Sequence, residues 1–237
     1  MKMKLVMFDI DGTLTESNSL DHESYLQALH EVFGFSGILS DWTSYTHVTD
    51  ACILKEVYQS QLGHVPSSRE VESFQKRFLE LLIDGAKARD GVKAVPGASD
   101  ILKKLLASPD YEVAYAGGGW SASAIFKLKS ANLTTENIPH TFSDDDDSRE
   151  GIMAIARSRS EAYYRRFFAD VVYVGDGIWD IISANNSGYS FIGIASGDEA
   201  QALYKEGATY VFPNYDDYES FLAALFTAEQ KGGGYNS

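Results

Sequence analysis

The sequence predicts an α/β protein: a parallel sheet covered by helices on both faces, with an all-helical segment inserted after the first strand. Three observations carry this expectation. Apolar strands alternate with helical stretches from Pro96 onward, the pattern of a doubly covered parallel sheet. A single apolar strand opens the chain, and one strand needs partners. Between them, residues 21–90 hold helical periodicity with no strand signal.

The first strand is Met-Lys-Leu-Val-Met-Phe at residues 3–8, stopped by Asp9-Ile-Asp-Gly. Leu26, Leu29 and Phe33 then recur at helical spacing, with Gly34 suited to a helix C-terminus. Ile53, Val57 and Leu62, flanked by Leu54 and Tyr58, form a second helical stripe that ends at Gly63. A third helix opens at Ser67-Ser-Arg-Glu70, which has capping-box spacing, and carries Val71, Phe74, Phe78, Leu81 and Leu82 on one face. A helix follows at 98–107, then a strand at Glu112–Ala116 and a helix from Ser121 to about Ala131. Val171–Val174, Phe191–Ala195 and Thr209–Phe212 read as further strands, each leading into a helical stretch. The division is therefore 1–15 with 95–237 as the α/β core and 16–94 as a helical insertion. Lys231–Ser237 reads as a frayed end.

Composition narrows the function. The chain has 237 residues, enough for one core plus an insertion. Twenty Lys and Arg against 34 Asp and Glu leave a net charge of −14. That argues against binding nucleic acid or an anionic membrane, because phosphate backbones are held by Lys and Arg. The lone Cys52 allows no internal disulfide and no cysteine metal site. No apolar run approaches a membrane span, and the chain reaches Asp9 before a signal-peptide core develops, so a cytoplasmic protein is expected.

In open α/β sheets, functional loops lie beyond the carboxyl ends of the strands. Two such ends carry paired carboxylates: Asp9-Ile-Asp11-Gly12-Thr13 after the first strand, and Gly175-Asp176-Gly177-Ile178-Trp179-Asp180 after Val171–Val174. Asp often follows a strand as a turn former or helix cap. Two such pairs brought together share charge at close range, and a hard cation such as Mg²⁺ is what carboxylates in that arrangement hold.

With these motifs the sequence resembles the haloacid dehalogenase-like (HAD) hydrolases, in their phosphatase branch with a helical cap. The resemblance covers nearly the whole chain: first motif at 9–15, insertion at 16–94, last motif at 175–180. It implies a Rossmann-like sheet with a cap inserted after the first motif. It makes Asp9 the nucleophile that forms an aspartyl-phosphate, and Asp11 the general acid and then base. It places Mg²⁺ on Asp9, the backbone carbonyl of Asp11 and Asp176, with Asp180 close by or joined through water. An acid at Asp11 serves a phosphate ester's leaving oxygen and disfavours dehalogenation. The implied activity is hydrolysis of a small phosphomonoester, with a phosphomutase or a phosphate-binding regulatory protein as alternatives.

The family's third motif is a cation that pairs with the nucleophile and the phosphate. Arg149, 27 positions before Asp176, fits the interval, and Lys127 is its rival. An Arg there also reads as a solvated residue in a helix's first turn, after a solvated Asp144–Asp147 loop. The second motif departs from the family: where a Thr or Ser hydroxyl is expected, the strand runs Ala116-Gly117-Gly118-Gly119-Trp120-Ser121. Backbone N–H groups at Gly117 and Gly118, with help from Ser121, are then the expected phosphate donors, and Gly117 is a candidate for positive φ. In the insertion, Thr49 and Asp50 are split between selecting substrate and capping a helix, and His47 reads as solvated. Trp42, Trp120 and Trp179 read as packing residues.

Overall fold

The computed structural model describes residues 3–39 and 41–228, so the expectation for 231–237 lies outside the described residues. Six strands form one sheet: β1 (Lys4–Phe8), β2 (Tyr111–Ala116), β3 (His140–Thr141), β4 (Asp170–Gly175), β5 (Ser190–Ile194) and β6 (Tyr210–Phe212). Their order is β3-β2-β1-β4-β5-β6 and every pairing is parallel. Side chains alternate between faces. Val6, Phe8, Val113, Val172 and Ile192 enter one core cluster, while Leu5, Met7, Ala114, Val171 and Phe191 enter the other. Burial on both faces is why these strands read as apolar runs. β3 was not foreseen, because two residues after Pro139 offer no period to read.

Three helices, α1 (Asn18–Phe33), α2 (Asp50–Leu62) and α3 (Ser68–Ala88), occupy the segment between β1 and the next core helix. Gly34 and Gly63 end α1 and α2 in the left-handed region, at φ 74° and 79°. The capping box at Ser67 forms: Glu70 Oε2 accepts from the Ser67 N–H at 2.7 Å. α1 and α3 pack on each other, and Tyr25, Phe74 and Phe78 meet Trp120 of the core at ring separations of 6.1, 5.6 and 6.0 Å. The two connections of the insertion run side by side: the Glu16 N–H donates to Lys93 O and the Val95 N–H to Leu14 O. The remaining helices are α4 (Ala98–Ala107), α5 (Ser121–Ser130), α6 (Arg149–Tyr164), α7 (Ile178–Asn186), α8 (Gly197–Lys205) and α9 (Tyr218–Thr227). Among the described residues no helix is long and apolar enough to cross a membrane.

Candidate active site

β1 is central, and the strand order reverses there, with β2 on one side and β4 on the other. Phe8 is level with Tyr115 and Val174, so Asp9, Gly117 and Asp176 emerge from one edge of the sheet. That is the crevice where open α/β sheets bind ligands. A cavity of about 380 Å³ lies above it, lined from the sheet by Asp9, Asp11, Gly118, Gly119, Arg149 and Asp176. From the insertion come Asp21, Tyr25, Trp42, Thr49 and Asp50.

The turn after β1 is built around Gly12, at φ 72°, where a Cβ would fall 1.9 Å from Asp176 Oδ2. No other residue lets the two motifs close on each other. Carboxylate oxygens of Asp9, Asp176 and Asp180 lie within 4.8 Å of one another. Asp180 is already committed: Arg149 Nη1 donates to its Oδ1 at 2.6 Å, and the N–H groups of Asp176 and Gly177 to its Oδ2 at 3.1 and 3.0 Å. Asn18 Nδ2 donates to Asp176 Oδ2 at 2.9 Å.

Burial, then the charge of Asp180, raises Asp9 well above the carboxylate range, against the pull of Arg149. Burial and Asp180 push Asp176 up to about 7. An all-oxygen, crowded and desolvated set of this kind fits a hard divalent cation, whose charge would reverse both shifts. The free oxygens put Asp9 and Asp176 forward as its ligands, with Asp180 holding the N–H groups of Asp176 and Gly177 and the Arg149 guanidinium.

Arg149 sits on the first turn of α6 and is 7% exposed, so the solvated reading fails. Its Nη1 lies 3.5 Å from Asp9 Oδ1 and its Nε donates to Val48 O at 3.0 Å. Lys127, the rival, is fully buried and turns elsewhere, donating to Asp11 Oδ2 at 2.5 Å and Asp21 Oδ1 at 2.6 Å. Burial opposes its charge, but Asp11, Asp21 and Asp50 outweigh that and hold the ammonium well above its ordinary range. Ser17 Oγ donates to the other Asp11 oxygen, Oδ1, at 2.5 Å. Burial pushes Asp21 up to about 6 even with Lys127 beside it.

The glycine run departs from expectation at Gly117. None of Gly117, Gly118 and Gly119 has positive φ. The Gly117 N–H is spent on Thr141 O at 3.3 Å, so it is no phosphate donor. A Cβ at Gly118 would fall 2.7 Å from Val48 O and 2.8 Å from Arg149 Nη2, so the glycine is there for space. The N–H groups of Gly118 and Gly119 have no partner among the described residues, and both glycines line the cavity. Ser121 stands outside the lining, and Asp144 Oδ2 takes its N–H at 2.5 Å. The acidic loop is tied down despite its exposure: Asp145 pairs with Arg159 at 2.6 Å, and Asp146 accepts from the Ser148 N–H at 2.8 Å.

Thr49 is the cap of α2, and both Thr49 and Asp50 line the cavity. Thr49 Oγ1 accepts the Cys52 N–H at 3.3 Å, capping α2, and donates to Asp147 O at 2.6 Å. Asp50 Oδ2 accepts the Trp120 N–H at 2.9 Å, joining the insertion to the β2–α5 loop. His47 lies on a neighbouring groove, not in this cavity. Trp120 is a packing residue, whereas Trp42 and Trp179 line the cavity. Sequence reasoning missed Ser17, Asn18 and Asp21. They stand beside or in the first turn of α1, where Ser, Asn and Asp read as ordinary caps.

The family description "haloacid dehalogenase-like hydrolase" matches residues 3–188. Among solved structures, the fold is similar to that of a hydrolase from Pseudomonas syringae, at 18% identity and TM-score 0.70, over 95% of this chain and 99% of that one. It is also similar to a candidate β-phosphoglucomutase from Bacteroides vulgatus, at 18% identity and TM-score 0.71, over 98% and 91%. A predicted phosphoglycolate phosphatase from Haemophilus somnus aligns at 17% identity and TM-score 0.58, over 94% and 99%. A search of the curated proteins finds no match. With the family match spanning both acidic motifs and the glycine loop between them, the chain belongs to the haloacid dehalogenase-like hydrolases, a family of enzymes.

Proposed function

We propose that this enzyme is a Mg²⁺-dependent phosphatase acting on a small phosphorylated metabolite in the cytoplasm, and that residues 16–94 serve as its cap. The observation that carries the reading is the placing of Asp9, Asp11, Asp176 and Arg149 on one cavity. Asp9 attacks phosphorus while the bond to the leaving alcohol breaks, and that oxygen takes a proton from Asp11. Water then attacks the phosphorus of the aspartyl-phosphate and gives its proton to the Asp11 carboxylate, so inorganic phosphate leaves and Asp9 is restored. Ser17 and Lys127 both donate to Asp11, which suits this second half-reaction. Arg149 and the N–H groups of Gly118 and Gly119 face the transferring oxygens in place of the family hydroxyl. A Mg²⁺ ion on Asp9 and Asp176 would screen the nucleophile from the phosphate and stabilise charge on the transferring group.

Phosphate release from a panel of phosphomonoesters with Mg²⁺ tests the reading. Turnover abolished reversibly by chelation and permanently by Asp9→Asn is the expected result. Return of the phosphoryl group to a sugar would make the enzyme a mutase, and absence of release from every ester would make it a binding protein.

A further inference from the structure

Charge is distributed unevenly over the cavity. The phosphate end has Arg149 and the free N–H groups of the glycine loop. The side of the cavity built from the insertion, which meets that loop where the Asp50 N–H donates to Gly118 O, has no free cation among the described residues. Lys127 is the nearest one. It is fully buried, absent from the lining, and paired with Asp11 and Asp21. Asp21 and Asp50 do line the cavity. Asp21 Oδ2 has no hydrogen bond among the described residues, nor has Oδ1 of Asp50, a residue 8% exposed. Burial and the charge of Asp21 push the Asp50 carboxyl well up, a cost that an incoming positive charge would remove.

The wall beside these carboxylates is aromatic. Trp42 stands 5.0 Å from the His22 ring and 5.8 Å from that of Tyr25, and all three line the cavity. Indole and phenol faces attract ammonium groups, most strongly when water is excluded. Carboxylates and aromatic faces together repel a second anionic group and attract a cationic one.

We propose that the alcohol released here carries a positive charge, so that the substrate is the phosphomonoester of an amino alcohol, with a primary or quaternary ammonium held between Asp21, Asp50 and Trp42. This rests on the phosphatase reading and adds the chemical class of the leaving group.

The test compares kcat/KM for phosphocholine, phosphoethanolamine, glycerol 3-phosphate and phosphoglycolate, with p-nitrophenyl phosphate as the report on the core reaction. The cationic esters should exceed the neutral one by about tenfold or more, and phosphoglycolate should be poorest. Asp21→Asn and, independently, Trp42→Leu should each lower the ratio of phosphocholine to glycerol 3-phosphate by about tenfold. Choline alone, titrated into the wild-type protein, should quench tryptophan fluorescence, and Trp42→Leu should remove the quench. Turnover of p-nitrophenyl phosphate with phosphoglycolate or glycerol 3-phosphate preferred would overturn the inference and leave the phosphatase reading standing. No turnover of p-nitrophenyl phosphate would overturn both.

Discussion

Replacing Lys127 by Met should destabilise the protein severely at pH 8 and much less at pH 5. Met keeps the buried stem's volume, so packing is largely preserved and the change isolates the charge. Asp11 and Asp21 lose their ion pairs at 2.5 and 2.6 Å, and Asp50 loses a neighbouring cation. Removing one partner of a buried pair costs about 3–5 kcal/mol, or roughly 10 °C in Tm for a chain of this size. The pH dependence follows from the sign of the shifts. Asp21 already sits at about 6, above its ordinary value, so its contribution to stability is complete below pH 4 and is lost as pH rises through 6. Without Lys127, the Asp21 and Asp50 carboxyls rise further and the cost falls on the ionised state. Proton uptake at pH 5 should relieve about half of it or more. Urea unfolding of wild type and variant at both pH values gives the comparison. Equal losses at the two pH values, or a loss below about 1 kcal/mol at pH 8, would refute the view of Lys127 as the counter-charge of a buried acidic cluster.

Three further substitutions probe the site. Gly117→Thr adds a hydroxyl but places its Cβ 3.0 Å from Asp9 Oδ1 and 3.4 Å from Ile10 Cγ1, crowding the nucleophile. Its kcat/KM should fall by about tenfold or more with Tm little changed, and a rise would contradict this geometry. Asp11→Asn should cost about 10²–10⁴ on an alkyl phosphate and far less on p-nitrophenyl phosphate, whose leaving group needs little protonation. Equal losses on the two esters would remove the acid role. Thr49→Ala loses the cap of α2 and the bond to Asp147 O, so urea unfolding should show a loss of about 1–2 kcal/mol. No loss would mean that the loop at 47–50 is held by other contacts.

Much of this fold was legible because β1, β2, β4 and β5 are buried on both faces and so are written as apolar runs. The acidic pairs were legible because they follow strands. The glycine run was legible only in part: Gly117, the candidate for positive φ, has none, and the constraint at Gly118 is the nearness of Val48 O and Arg149, which no local sequence shows. Beyond its candidacy as the third-motif cation, Lys127 carries a second signal in the sequence. It shares the buried stripe of α5 with Ala124 and Leu128, and a lysine on such a stripe requires carboxylates close by. Which carboxylates answer it depends on how α1 and α2 come down on the sheet, a long-range matter that helix periodicity cannot encode. Asp21 shows the same limit, since an acid in the first turn of a helix ordinarily complements the helix dipole.

In the proposed reaction Asp9 carries the phosphoryl group. Enzyme mixed with substrate and Mg²⁺, quenched in acid within one turnover and reduced with borohydride, converts an acyl phosphate to the corresponding alcohol. Peptide mass spectrometry should then find homoserine at position 9. Homoserine at another aspartate, or none while phosphate is still being released, would rule out Asp9 as the nucleophile.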